Sequence, residues 1–105
     1  MKFLDKFGLS PKSFDIDGKP VYYKSISYNL AIAIANEPND VVRQLLIIRH
    51  CLCEEDGSPC FQPDINLEEI GDILAFEYIS QIATKIAKLS GPKERDENIK
   101  KKQGS

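Results

Sequence analysis

The chain contains no tryptophan, one methionine, one histidine and three cysteines in 105 residues. With a single histidine, acid–base or thiol chemistry has one candidate, His50, and nothing in its spacing marks an orienting partner or an oxyanion hole. An odd cysteine count without an export signal argues against a disulfide framework and for reduced thiols. No apolar run approaches the ~20 residues of a membrane span, and Asp5 and Lys6 fall too early for a secretory signal. The expected location is therefore the cytoplasm. Basic residues are not in excess either: 14 stand against 16 acidic ones, a net charge of -2. That excludes the basic face by which nucleic acid is held. Neither G-x-G-x-x-G nor G-x-x-x-x-G-K occurs, so no phosphate cradle is visible.

What is present is the composition of a small folded body. A hydrophobic fraction of 42% beside 29% charged residues fits a globular chain, and the length fits one domain. The expected division is a single domain over 1–91 followed by a disordered charged tail, PKERDENIKKKQGS, over 92–105.

The segment SFDIDGKPVYYKSI predicts a β-hairpin, with strands near 13–16 and 21–26 and a turn at Asp17-Gly18. Pro20 suggests an edge position for the second strand. Ahead of it, Phe3, Leu4 and Phe7 suit one helical turn. Ser27 is a suitable N-cap for a helix that Glu37-Pro38 ends. Asn39 or Asp40 caps the next, DVVRQLLIIRHCLC, in which Val41, Leu45, Ile48 and Leu52 share a narrow arc with Val42 beside it. Ile47 falls among Arg43, Gln44 and His50 on the opposite side, as surface or as a contact point. A turn-rich loop follows, with Leu52 and Phe61 as a short extended pair around it. Asn66 and Glu69 resemble a capping box for a short helix from Leu67, and Gly71 is expected to bend or break it.

The sharpest pattern is residues 72–90, read as one amphipathic helix ending at Gly91-Pro92. Its apolar residues, Phe76, Ile79, Ile82, Ala83 and Ile86 among them, span roughly half the circumference, wider than the ~100° a core-facing stripe needs. Such a helix can pack on its own core and still offer apolar surface. The predicted core is Val41, Val42, Leu45, Ile48, Leu52, Ile79, Ile82, Ile86 and Leu89.

His50, Cys51, Cys53 and Cys60 have the right number and type of ligands for zinc. The spacing is poor: no C-x-x-C is present, and Cys51 and Cys53 diverge by ~200° on a helix. The acidic stretches before Gly18 and Gly57 do not complete a calcium loop and read as turns. Arg49, beside Val42 and Leu45, either snorkels to the surface or pairs with a carboxylate of the 54–56 loop. No catalytic residue, cofactor or metal is expected, and the chain is read as a non-enzyme.

The succession RQLLIIRHCLCEEDGSPCFQ, then INLEEIGDILAFEYISQIATKIAKLSG, resembles the tail assembly chaperones of long-tailed bacteriophages. The pattern is an apolar helix running into an acidic-acidic-Gly-x-Pro-x-Phe turn, here Leu45 to Phe61. A capped acidic helix follows at Leu67 to Ile70, and a final amphipathic helix ends in Leu-Ser-Gly at 89–91. The opening FDIDGKPVYYKSIS is similar too, so the resemblance covers about 80 residues, 13 to 91.

The resemblance implies a chaperone in the host cytoplasm that binds the helical tape measure protein and keeps it soluble until tail tube polymerisation. Tape measure and tail tube proteins are then the partners, with self-association, and the chaperone is absent from the finished virion. The expected fold is α+β and mostly α: an N-terminal β-hairpin packed on about four helices. Candidate partner-binding residues are Ile47, Phe76, Tyr78, Ala83 and Ala87. The competing reading is a small cysteine- or zinc-dependent regulatory protein centred on His50 and the thiols, or an oligomeric adaptor unrelated to phage.

Overall fold

The computed structural model describes residues 2–91, so the expectation for 92–105 lies outside the described residues. The elements run α1 (Lys2–Phe7), β1 (Lys12–Ile16), β2 (Lys19–Tyr23), α2 (Tyr28–Asn36), α3 (Asp40–Cys51), β3 (Leu52–Cys53), α4 (Leu67–Ile73) and α5 (Phe76–Ser90). The expected α+β, mostly helical fold is what they form.

Asp17 and Gly18 both have positive φ, 52° and 78°, as a two-residue type I′ turn requires. The turn sets the register: Ile16 lies opposite Lys19, Phe14 opposite Val21 and Lys12 opposite Tyr23. Phe14, Ile16, Val21 and Tyr23 thereby share one face of the sheet and pack into the core.

The hairpin carries a third strand, Leu52–Cys53, at the end of the segment expected to be α3, where Leu52 was also expected to be extended. β3 adds antiparallel to β2, giving the order β1-β2-β3. The second strand is thus central, not at an edge. Pro20 is tolerated because β3 pairs only with Tyr22 and Tyr23, so the N–H that proline lacks has no partner to lose. The cysteine loop closes beside β3 through a Cys53–Pro59 bridge and a bond from Cys60 N–H to the Leu52 carbonyl.

The capping residues behave as their chemistry dictates. Ser27 Oγ accepts from Leu30 N–H, and Asn39 Oδ1 accepts from the N–H groups of Val41 and Val42. Asn66 Oδ1 bonds Glu68 N–H, one residue short of the predicted box.

Two helical placements also differ from expectation. The first is the break before α5. Gly71 continues α4, and the chain becomes extended at Leu74 and Ala75, so the long helix runs over Phe76–Ser90 rather than 72–90. On one unbroken helix Ile70 would face roughly 120–160° away from Ile82 and Ile86. The extended pair resets the phase, and all three become buried around α3.

The second is the facing of α3. Its buried residues are Ile47, Ile48 and Cys51, a face rotated by roughly 80° from the predicted arc at 100° per residue. α3 packs most heavily on α5 and also touches α4, α2 and β3. That wide contact draws Ile47 inward and leaves Val41, predicted as core, 61% exposed. Ile48, Ile82 and Ile86 are buried as predicted, while Leu45, Leu52, Ile79 and Leu89 pack partly buried against them. Val42 is half-buried.

Candidate partner-binding surface

Three of the five candidate residues meet at one place. Ile47 from α3 and Ala83 and Ala87 from α5 line an open depression of about 260 Å³, walled by Ile34 of α2 and by Asp40, Arg43 and Gln44 of α3. Ile47 is only 6% exposed and Ala83 1%, so they form its floor rather than standing out from the surface. The expected placing of Ile47 on an exposed polar face is corrected accordingly. Ala87 is exposed.

The other two candidates sit at the far end of α5. Phe76 is 91% exposed, next to exposed Ile73 across the α4–α5 break. Tyr78 is half-buried, and its hydroxyl donates to Asp17 Oδ2 at 3.1 Å. Most of the broad apolar arc of α5 is used internally, by Ile82, Ala83 and Ile86 in the core and by Ile79 and Leu89 at its margin. The surplus apolar surface expected of this helix reduces to Phe76 and small residues such as Ala87.

A larger surplus lies on α2. The helix YNLAIAIAN carries no charged residue, and only Leu30 is buried. Tyr28, Ala31, Ile32 and Ala35 are all exposed, and their spacing puts them on a single face. Tyr28 is 80% exposed. The signal was present in the sequence: nine residues without a charge are more apolar than a helix with one buried face needs.

Arg49 does not pair with a carboxylate of the 54–56 loop. Its Nη1 donates to the Ile65 carbonyl at 3.0 Å and its Nε to His50 Nε2 at 3.3 Å. It pins the loop that leads into α4, and it bonds one of the two imidazole nitrogens. Burial, and then the Arg49 charge, lower the His50 pKa.

The thiols are poorly placed for chemistry. Burial pushes the Cys51 thiol up to about 12, with Cys53 adding to the rise. Burial raises Cys53 as well. Cys60 is exposed as a residue, yet shielding of its sulfur and then the Glu54 carboxylate push its thiol up to about 11. A thiol held protonated is neither a ready nucleophile nor a ready metal ligand. Among the described residues no three His, Cys, Asp or Glu side chains converge as a metal site. The two acidic stretches are turns: Gly57 N–H bonds the Glu54 carbonyl, and Asp56 Oδ1 accepts from both Ser58 N–H and Ser58 Oγ.

No helix among the described residues is long and apolar enough to cross a membrane. No protein-family model matches the chain. A search of curated proteins found no match. Among solved structures, the tail assembly chaperone of bacteriophage HK97 is similar, with a TM-score of 0.50 and 16% sequence identity over 85% of this chain and 90% of that one. The fold that the resemblance implied is therefore the fold found: this chain and the HK97 tail assembly chaperone share it over most of both lengths.

Proposed function

We propose that this protein is a non-enzymatic tail assembly chaperone that covers the apolar face of a helical client, the phage tape measure protein, until tail tube subunits polymerise. The observation that carries this is the outward apolar face of α2, Tyr28, Ala31, Ile32 and Ala35, on the helix whose Ile34 walls the depression floored by Ile47 and Ala83. A client helix is recognised by seating apolar residues at i, i+3, i+4 and i+7 against a surface of this kind. The small side chains of α2 allow close approach, and Tyr28 and Ile32 supply contact area. Phe76 and Ala87 extend the surface along α5, with Ile47 and Ala83 shaping the floor. Tyr78 takes part through its tie to the hairpin. The shared fold supports the same reading.

Several copies along one long client, in contact with each other, follow from the same apolar surface. Release when tail tube protein takes over the client, action in the host cytoplasm and absence from the virion belong to this proposal.

The test is co-expression with the long helical open reading frame encoded nearby, followed by affinity capture and light scattering. The expected result is a soluble client with several copies of this chain bound, and loss of that complex in Ile32→Asp. A client that stays insoluble, or a complex unaffected by Ile32→Asp in a folded protein, sinks the proposal.

A further inference from the structure

The outer edge of β1 is open. The two-residue turn makes Ile16–Lys19 the closing hydrogen-bonded pair, so Phe14 and Lys12 also bond across to β2. Ser13 and Asp15, the alternate residues, direct their backbone N–H and C=O groups away from β2, and no other described backbone group bonds them. Open edges are commonly guarded by a lysine. Here the Lys12 ammonium is held by Ser25 Oγ at 3.2 Å.

The turn end of this edge faces a cleft of about 570 Å³. Its hairpin wall is Asp15 and Ile16 of β1 and Asp17 of the turn, and no β2 residue lines it, which places it beside the edge rather than over the sheet. Its other wall is a polar stripe of α5 that includes Ser80, Thr84, Lys85 and Lys88. α5 runs antiparallel to β1. Tyr78 near its start bonds Asp17, and Ser90 at its end accepts from Ile26 N–H, next to the Lys12–Ser25 contact. The carboxylates therefore stand at the turn end of the cleft and the ammonium groups toward the other end. None of the four charges forms an ion pair with a described residue.

We propose that this cleft is a strand-acceptor site, taking an extended segment of a partner polypeptide as a fourth strand on β1. The segment is antiparallel to β1, basic at its start, where it meets Asp15 and Asp17, and acidic at its end, where it meets Lys85 and Lys88. A helix has already satisfied its own backbone and cannot use Ser13 and Asp15, whereas an extended segment bonds them directly. The α5 wall adds the Ser80 and Thr84 hydroxyls for the segment's far edge. Opposite charges at the two ends fix its direction. The site is separate from the α2 face and stands whether or not that face binds a helix.

The probe is a synthetic peptide, acetyl-Lys-Thr-Val-Thr-Val-Thr-Glu-amide, added to the full chain, with amide hydrogen exchange and NMR shifts as readouts. Exchange at Ser13 and Asp15 is expected to slow about tenfold or more at saturation, while Phe14, already bonded to β2, changes little. The peptide with its two end charges exchanged is expected to bind about fivefold or more weakly, and Asp15→Lys with Lys88→Glu to reverse that preference. Ile32→Asp should leave binding unchanged. Three results overturn the proposal: no slowing at Ser13 and Asp15; slowing already present in the free chain and lost on deletion of 92–105, which makes the chain's own segment the occupant; or slowing that tracks dimer formation by light scattering, which makes it a second copy.

Discussion

The Tyr78 hydroxyl donates to Asp17 Oδ2 at 3.1 Å, joining the first turn of α5 to the hairpin turn across 61 residues of sequence. The bond, and then the carboxylate charge, raise the tyrosine pKa above its ordinary value of 10.0. A raised tyrosine pKa means that the fold prefers the neutral phenol. The stabilisation is complete below the unfolded value near 10.0 and is lost as pH rises through the higher folded value. Absorbance titration at 295 nm should therefore show one tyrosine ionising late, in addition to buried Tyr23, which burial also raises. In Tyr78→Phe that late component should disappear. If the titration curve is unchanged in the variant, the bond does not persist in solution.

The same turn gives a backbone prediction. Gly18 sits at φ 78° with nothing within 4 Å of where a Cβ would be placed. Gly18→Ala therefore meets no clash, and its cost is conformational, about 1–2 kcal/mol for a left-handed alanine. Urea denaturation should show a lower midpoint with an unchanged slope. A change below about 0.3 kcal/mol would mean that the hairpin does not need the left-handed turn.

The cysteines should be slow. With Cys51 held near 12 and Cys60 near 11, native protein at pH 7.5 should react with a thiol reagent at Cys60 first, and at Cys51 and Cys53 only on unfolding. In the unfolded chain all three approach the ordinary value of 9.0, so raised folded values remove stability as pH climbs from about 9 upward. Mass spectrometry after timed labelling checks the order. Rapid native labelling of Cys51 would contradict its burial.

The resemblance and the local chemistry made much of this fold legible. The turn at Asp17-Gly18 and the caps at Ser27, Asn39 and Asn66 depend on a few neighbouring residues, and they were readable. What was not legible depends on distant packing. Ile47 looks like a surface residue from the periodicity of α3 alone, and it is buried because α5 lies across it. Leu52 was readable both as the end of α3 and as extended against Phe61, but its pairing with β2 depends on that strand's open edge. Gly71 announced a break before α5, but its place at Leu74–Ala75, three residues on, follows from the need to bury Ile70 and Ile82 on the same partner helix. For the candidate surface, Phe76 could be singled out because α5 is strongly periodic. Tyr28 and Ile32 were missed because α2 is apolar nearly all round, so periodicity alone did not say which side faced out.

Core and surface should separate cleanly by substitution. Ile48 and Phe76 are both large and apolar, but Ile48 is fully buried and Phe76 is 91% exposed. Ile48→Ala removes packed methyl groups from the centre of the α3 contact and should cost about 2–5 kcal/mol. Phe76→Asp touches little within the chain and should change stability by no more than about 0.5 kcal/mol. If Phe76 serves only the fold, binding and stability will fall together. If it serves a partner, Phe76→Asp will keep its circular dichroism spectrum and urea midpoint while client capture weakens, because a charge then replaces an aromatic contact within the interface. Measuring both quantities on both variants decides between these cases. A Phe76→Asp protein with wild-type capture would remove the α5 corner from the binding surface and leave the α2 face to carry it alone.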